Sequence, residues 1–360
     1  MSPPPPLLRV TSEGLYCEAG GFYIDPWKPV EKALITHGHG DHARWGSAAY
    51  LTAESGVPVL RRRLAPDARI EGLPFGDSLR LGDVTVSFHS AGHVLGSAQI
   101  RVERGGERWI ASGDYKRQSD PTCAEFEPVP CDTFITEATF GLPIYRWRET
   151  ADEARDLLAW WEENERDGRA SVLFCYALGK AQRVLGELAF LTDRTVYLHG
   201  AAAHLTELYR QAGVRMLPTR RVGEMPRGHS FAGELILAPT SASRSTWMRR
   251  FGNAGTAFAS GWMRVRGHRR RRGYDRGFVI SDHADWPGLL QTIEETGASQ
   301  VLVTHGYTDS LSRYLRDKGV DAKPLATPYG EEEEGEEPSE DEGGGALSRE
   351  AGEGRGGGSE

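Results

Sequence analysis

Apolar and polar positions divide the chain into two parts with different periods. Up to about residue 145, short apolar stretches alternate with turn residues, which predicts strands and hairpins. "VTVSFHS" alternates like a strand with one buried face, and hairpins are predicted around Gly20–Gly21 and Gly105–Gly106. "AAYLTAESGVPVLRRRL" predicts a strand followed by a helix that Thr52 caps. "KALIT" and "DTFITEATFG" predict two further strands, each with a polar end.

From about residue 150 the pattern changes to strands that alternate with helices. "RETADEARDLLAWWEENER" is amphipathic with a helical period, "SVLFCYA" is a buried strand, and "GKAQRVLGELAFL" is the next helix. "GFVISDHADWPGLLQTIEETG" and "SQVLVTHGYTDSLSRYLRDKG" each predict a strand, a loop and a helix. Such alternation is typical of a parallel sheet.

Charge is distributed very unevenly along the 360 residues. The formal net charge is -8, but residues 331–360 hold 12 acidic and 2 basic residues. The remaining 330 residues have 41 basic and 39 acidic side chains and are therefore close to neutral. The tail 331–360 cannot bury a core, so we predict a disordered solubilising segment, with partner binding or DNA mimicry as the alternative.

The four cysteines are scattered and form no CxxC pair. They fit neither a zinc ribbon nor a disulfide framework, which favours a reducing cytoplasm. The N-terminus has no basic and apolar segments of a signal peptide, and no run approaches the ~20 apolar residues of a membrane span. A cytoplasmic protein without a membrane partner is expected.

Four metal-ligand side chains crowd the stretch "THGHGDHARWGS" directly after the "KALIT" strand. The side chains of residues two apart on an extended segment point the same way, so His37 and His39 can bind one ion. Asp41 and His42 follow on the turn and can face a second ion. The alternative is a polar loop whose histidines are incidental, but the spacing favours a metal site.

Further ligands are predicted at other strand ends. His93 lies between glycines after the alternating strand, Asp114 follows an apolar strand, and His305 ends a buried strand. Each alone is more often a hydrogen-bonded structural group, but together they complete the set that a two-metal site needs. Imidazoles mixed with carboxylates suit zinc, iron or manganese and not calcium.

The order of these motifs resembles the metallo-β-lactamase fold. "TEATFG", "SDHAD" and "THGYTD" are similar to the three further motifs of its β-CASP nuclease branch, although relatives often have Glu after the last glycine. "YALGKAQRVL" resembles the helix start of the inserted domain of that branch. With "FASGWM" and the arginine run, the chain over residues 10–328 is most similar to bacterial DNA ligase-associated exonucleases.

The resemblance implies an α/β fold, in which an αβ/βα metallo-β-lactamase sandwich carries an inserted β-CASP-like α/β domain. The sandwich would comprise residues 1–150 and 277–330, and the inserted domain residues 151–276. The active site would lie in the cleft between the two domains, where the inserted domain limits access to a single strand or a chain end.

The same resemblance implies a site with two divalent metal ions, zinc or alternatively manganese. Asp41, His283 and Glu137 are the expected catalytic residues: His283 would contact the phosphate or protonate the leaving oxygen, and Glu137 would orient it. The implied metal ligands are His37, His39 and His93 for the first ion, Asp41, His42 and His305 for the second, and Asp114 as the bridge between them.

Basic residues supply the candidate nucleic-acid contacts. An arginine-rich run leads into the His283 strand, and the helix that begins near Lys180 can bind a phosphate through its N-terminal amides. A solvated loop is the alternative for the run, and Trp262 can stack on a base or belong to the core. The arginines in question are Arg264, Arg266, Arg269, Arg270, Arg271 and Arg272.

We therefore predict a metal-dependent nuclease that trims DNA ends in repair, with a DNA ligase and a helicase as partners. An RNA-processing nuclease of the same branch is the first alternative, and His305 favours it, because RNA-type members carry a histidine in the third motif. A small-molecule metallo-hydrolase is a second alternative, against which the inserted domain and the arginine run speak. A non-catalytic binding module is a third, and the complete ligand set speaks against it.

Overall fold

The computed structural model describes residues 6–265 and 273–327. The predicted acidic tail at 331–360 lies outside the described residues, as do Arg266 and Arg269–Arg272 of the basic run. Among the described residues, no helix is both long and apolar enough to cross a membrane.

Two mixed sheets form the first part of the fold. The first sheet contains, in spatial order, β1 (Arg9–Val10), β2 (Leu15–Cys17), β3 (Phe22–Ile24), β4 (Lys32–Ile35), β5 (Ala49–Ala53) and β6 (Ile70–Leu73). The second contains, in reverse spatial order, β7 (Ser78–Leu81), β8 (Val84–Ser90), β9 (Ala98–Arg104), β10 (Glu107–Ala111), β11 (Thr133–Ala138), β18 (Gln300–Gly306) and β19 (Asp321–Pro324).

An apolar core joins these two sheets. Leu34 and Leu51 of the first sheet and Val86, Phe88 and Ile100 of the second belong to one fully buried cluster. Val86, Phe88 and Ile100 alternate with polar neighbours, as expected for sheets packed face to face. Leu34 stands between the buried Ala33 and Ile35, because the other face of β4 is covered as well.

Helices cover both outer faces of this sandwich. Helix α1 (Val57–Arg63) buries Leu60 against Ala33 of the first sheet. On the far face of the second sheet, Leu289 and Leu311 pack on Phe134. These two leucines belong to α5 (Trp286–Thr296) and α6 (Thr308–Asp317). The order helix, sheet, sheet, helix is the predicted αβ/βα arrangement.

A third, wholly parallel sheet is built from the middle of the chain. Its strands are, in spatial order, β14 (Thr219–Arg221), β13 (Val196–Leu198), β15 (Leu235–Ala238), β12 (Ser171–Phe174), β16 (Gly255–Ala259) and β17 (Arg276–Phe278). Helices α2 (Thr150–Arg166), α3 (Lys180–Leu188) and α4 (Gly200–Gln211) accompany it. The four residues of β12 are buried on both faces, as expected for a central parallel strand.

The structure confirms the predicted fold class and both hairpins, since β2 pairs antiparallel with β3 and β9 with β10. The predicted helix cap at Thr52 is wrong. Thr52 is a buried residue of β5, its hydroxyl donates to the carbonyl oxygen of Ile35 at 3.0 Å, and a short 3-10 turn begins only at Glu54. The predicted domain limits stay predictions.

Candidate metal centre

Three histidines from two loops form a first group of ligand atoms. His37 and His39 lie in the loop after β4, and His93 lies in the loop after β8. His39 Nδ1 is 3.1 Å from His37 Nε2 and 3.0 Å from His93 Nε2. A carboxylate oxygen of Asp114, just after β10, completes the group, in which all four ligand atoms lie within 4.8 Å of one another.

A second group lies beside the first. One ligand atom each from Asp41, His42 and His305 also falls within 4.8 Å. Asp114 Oδ2 lies 3.4 Å from His37 Nε2 and 3.6 Å from His42 Nε2, so a single carboxylate oxygen reaches both groups. The structure thus brings together all seven residues that were predicted as ligands, in the predicted division.

The His305 side chain belongs to this second group, and the backbone at His305 is strained. Its φ is +57°, a left-handed conformation that a residue other than glycine seldom adopts, and Gly306 follows at +66°. The pairing of β11 with β18 shifts register here, between Glu137 and Ala138. The left-handed turn ends β18 and directs the imidazole towards the ligands that come from the first sheet.

Each ligand histidine is held through its second ring nitrogen. His39 Nε2 donates to the carbonyl oxygen of Leu178 at 3.3 Å, and His93 Nδ1 donates to that of Asp282 at 2.8 Å. The ligands His37 and His305 have the hydroxyls of Thr36 and Thr304 within 3.1 and 3.2 Å of Nδ1. Such contacts fix the ring orientation and the tautomer, and they leave the other nitrogen for a metal ion.

Asp25 holds the second ring nitrogen of His42 in the same way, and no pattern in the sequence predicted this role. Its carboxylate accepts from His42 Nδ1 at 2.8 Å and from both the backbone N–H and the hydroxyl of Thr36, at 2.8 and 2.5 Å. Asp25 also adopts a left-handed φ of +41°. The only signal in the sequence is an aspartate that follows a strand and precedes a proline, which by itself indicates no more than a turn.

The electrostatics of the centre favour bound cations. Burial lowers the pKa of His39 to about 4 and that of His305 to about 3, so both imidazoles are neutral and can ligate. Burial also lowers the pKa of His42, but Asp41 and Asp114 outweigh it and raise the pKa to about 10. Neutral imidazoles among carboxylates that attract positive charge form a donor set that fits zinc, iron or manganese.

Glu137 and His283 form a pair at the edge of the first group. His283 Nδ1 lies 3.0 Å from one carboxylate oxygen of Glu137 and 3.1 Å from the other. The backbone N–H of Tyr115 donates to the same carboxylate at 2.8 Å. Burial raises the pKa of Glu137, but His283 and further hydrogen bonds more than offset it, so that the pKa is lowered. An ionised Glu137 therefore orients the His283 ring.

A buried network of charges lies behind His93 and His283. Arg183 of α3 donates from Nε to Asp120 at 2.6 Å, and its Nη1 lies 3.1 Å from Asp282 Oδ1. Lys180, one turn earlier on α3, is 3.4 Å from Asp282 Oδ2. Lys116 donates to the carbonyl oxygen of Ser281 at 2.6 Å. This network ties the helix that follows β12 to the loop that carries His283.

The structure places two of the predicted nucleic-acid contacts away from the surface. Lys180 is only 3% exposed and is paired with Asp282, so its side chain is not a surface contact. The contact predicted through the N-terminal amides of its helix stays a prediction. Trp262 is 8% exposed and packs on Phe140, so the core alternative holds. Arg264 is exposed at the surface, where it donates to the carbonyl oxygen of Ile144 at 3.4 Å.

Comparisons with known proteins relate the chain to nucleic-acid enzymes. A probable DNA ligase of Opitutus terrae is 32% identical over 315 residues, which is 86% of this chain and 30% of that protein. Cleavage and polyadenylation specificity factor 73 of Drosophila melanogaster is 32% identical over 119 residues, 32% of this chain and 17% of that protein. A ribonuclease of Thermus thermophilus is 28% identical over 192 residues, 46% of this chain and 44% of its own. The chain thus spans less than half the length of each of these relatives.

The fold is also found among solved structures, whereas no protein-family model matches the chain. A crystal structure of a protein of unknown function from Enterococcus faecalis V583 superposes with a TM-score of 0.56 at 13% identity, covering 83% of this chain and 80% of that one. This likeness supports the fold alone. The motifs and the relatives above are consistent with the β-CASP branch of the metallo-β-lactamase fold family.

Proposed function

We propose that the protein is a dinuclear-metal phosphodiesterase that acts as an exonuclease on DNA ends. The observation that carries the proposal is the shared carboxylate of Asp114, whose Oδ2 lies within 3.8 Å of nitrogens from both histidine groups. Paired ions of this kind lower the pKa of a bound water and neutralise charge on a phosphoryl oxygen. Zinc is the metal that we propose, with manganese as the alternative.

The residues of this chain prepare the site for a phosphodiester. His37, His39 and His93 would hold one ion, and Asp41, His42 and His305 the other. His283, which Glu137 holds through Nδ1, presents its second ring nitrogen for a hydrogen bond to the phosphate or for proton transfer to the leaving oxygen.

DNA is the substrate that the relatives favour. The probable DNA ligase aligns with 86% of this chain, whereas the cleavage factor and the ribonuclease align with 32% and 46%. We therefore propose a role in DNA end repair beside a DNA ligase. The helicase partner and the cytoplasmic location stay predictions. An RNA substrate is the second candidate, because the other two relatives are named for RNA processing.

A single set of assays tests the proposal. The zinc- or manganese-loaded protein is incubated with end-labelled single- and double-stranded DNA and RNA, alongside His39→Ala and Asp41→Ala. His204→Ala, an exposed histidine outside the cluster, is the matched control. We expect shortened DNA with the parent and the control and none with the two ligand variants. Cleavage of RNA alone would refute the DNA assignment, and equal activity of the ligand variants would refute the metal site.

A further inference from the structure

Trp45 is an exposed aromatic residue on the loop that also carries the ligands Asp41 and His42. It follows Asp41 by four residues, and its exposed fraction is 67%. Among the described residues, the other exposed large hydrophobic side chains are Ile144, Phe190 and Leu191. An exposed indole offers a flat aromatic face on which a nucleic-acid base can stack.

The loop that carries Trp45 is anchored on both sides. The Tyr50 hydroxyl accepts from the backbone N–H of Ser47 at 2.9 Å and donates to the carbonyl oxygen of Arg44 at 3.0 Å. Arg44 Nε in turn donates to the carbonyl oxygen of Asp41 at 3.3 Å. The indole is therefore presented at a defined place relative to the ligand loop.

A guanidinium group lies on the same ligand loop. Gly40 lies between His39 and Asp41. A Cβ atom at this position would be 2.7 Å from Arg63 Nη1, so the Arg63 side chain lies directly over this glycine. Arg63 is the last residue of α1, whose final turn consists of three consecutive arginines and which contains no acidic residue. Glycine at position 40 allows this close approach.

The positive charge continues towards α4. Helix α1 packs on α4, since Val59 and Tyr209 share one buried cluster. Burial, and then Arg221 and Arg62, lower the pKa of His204 on α4. Arg61 and Arg62 are exposed. Three consecutive arginines thus lie at the end of a helix that borders both the ligand loop and α4, far along the chain from the arginine run that begins at Arg264.

We propose that Arg44, Trp45 and Arg63 form a strand-binding rim, where Trp45 stacks on a base and the arginines contact backbone phosphates of a single-stranded nucleic acid. The inference rests on the proposed function and adds residues that position the strand. An exposed indole on the ligand loop, and guanidinium groups on that loop and on the helix beside it, match the alternation of bases and phosphates. A hydrophobic protein partner would gain nothing from the three consecutive arginines.

The test compares a strand with a phosphodiester that has no bases. For Trp45→Ala and Arg63→Ala, kcat/KM is measured on a single-stranded oligonucleotide and on bis(p-nitrophenyl) phosphate. Phe190→Ala, with 70% exposure, and Arg155→Ala, on the exposed face of α2, are the matched controls. Because stacking on an aromatic side chain contributes about 1–3 kcal/mol per base, the oligonucleotide-to-phosphodiester ratio should fall about five-fold or more for Trp45→Ala. The ratio should stay constant in the controls.

The outcomes separate this inference from the proposed function. An unchanged ratio for Trp45→Ala and Arg63→Ala would refute the rim, even if the parent cuts both substrates. If the parent cuts neither substrate, the proposed function is wrong. The strand-binding rim is then tested only by the dissociation constant of a fluorescein-labelled oligonucleotide. A weaker constant for both variants supports the rim, and an unchanged one refutes it. An unchanged ratio together with lost binding of a DNA ligase would assign the surface to a protein partner and overturn the proposal.

Discussion

Arg183 offers the sharpest test of how the buried charge network stabilises the protein. Its side chain is 1% exposed, and the carboxylates that it contacts, Asp120 and Asp282, are 3% and 2% exposed. The guanidinium also donates to the carbonyl oxygens of Ser281 and His93. Replacing it with methionine keeps much of the volume but removes the positive charge between two buried carboxylates.

The expected loss in the free energy of unfolding is large because Asp120 and Asp282 remain buried without the guanidinium between them. Removing one partner of a buried ion pair costs about 3–5 kcal/mol, since the remaining charge is left in a low-dielectric interior. Lys180 and Lys116 compensate in part, which favours the lower end of this range. At about 2–4 °C per kcal/mol, Arg183→Met should unfold roughly 6 °C or more below the parent.

Thermal unfolding followed by circular dichroism in a chelator measures this loss without any contribution from bound metal. Arg155→Met is the matched control, because Arg155 pairs with Asp152 on the exposed face of α2. Exposed pairs contribute little, so the control should lie within about 2 °C of the parent. If Arg183→Met also unfolds within that range, the buried charges do not stabilise the fold and the reasoning is wrong.

Three further predictions concern the bridge, one glycine contact and one buried thiol. Asp114→Asn should lower bound zinc from about two ions per chain to one or fewer, by atomic emission, because Oδ2 serves both groups; an unchanged content would contradict the bridge. Gly96→Ala places a Cβ atom 2.2 Å from Gly56 and should lower the free energy of unfolding by about 2 kcal/mol or more. Gly105→Ala meets no atom within 4 Å and should lower it by about 1 kcal/mol. Equal losses for the two variants in urea unfolding would refute the clash. Burial raises the pKa of Cys131 from 9.0 to about 12, so the unfolded chain loses this proton first and stability falls as pH rises above 9. Cys131→Ala should flatten that fall between pH 8 and about pH 10.5, and an unaltered slope would show that the thiol does not contribute.

The sequence predicted those parts of the fold and of the candidate site that depend on local pattern. The period-two spacing of His37 and His39 after an apolar strand places both on one side of the chain, and the structure puts their ring nitrogens 3.1 Å apart. Glycine pairs predicted the two hairpins, because tight turns need residues that accept a positive φ. His283 and Glu137 were predicted from motif resemblance, since 146 residues separate them and no local pattern links them.

What the sequence missed depends on tertiary contacts. Thr52 has the composition of a helix cap, but burial between two strands makes its hydroxyl bond the neighbouring strand instead. Lys180 begins a helix, which suggests a phosphate site, yet the approach of Asp282 turns it into half of a buried ion pair. The sequence around Asp25 indicates only a turn, because a carboxylate that supports a ligand needs no fixed spacing from it.

The second ring nitrogens of His39 and His93 show that loops after strands of the third sheet belong to the metal centre itself. A carbonyl oxygen can only accept, so Leu178 fixes the proton of His39 on Nε2 and Asp282 fixes that of His93 on Nδ1. The lone pairs then lie on the two nitrogens that face each other at 3.0 Å. These carbonyls come from positions 139 and 189 residues away, where Arg183 and Lys180 hold the Asp282 loop against α3. The tautomers that the first ion requires are therefore set by the segment around the third sheet, and the HxHxDH motif cannot set them alone.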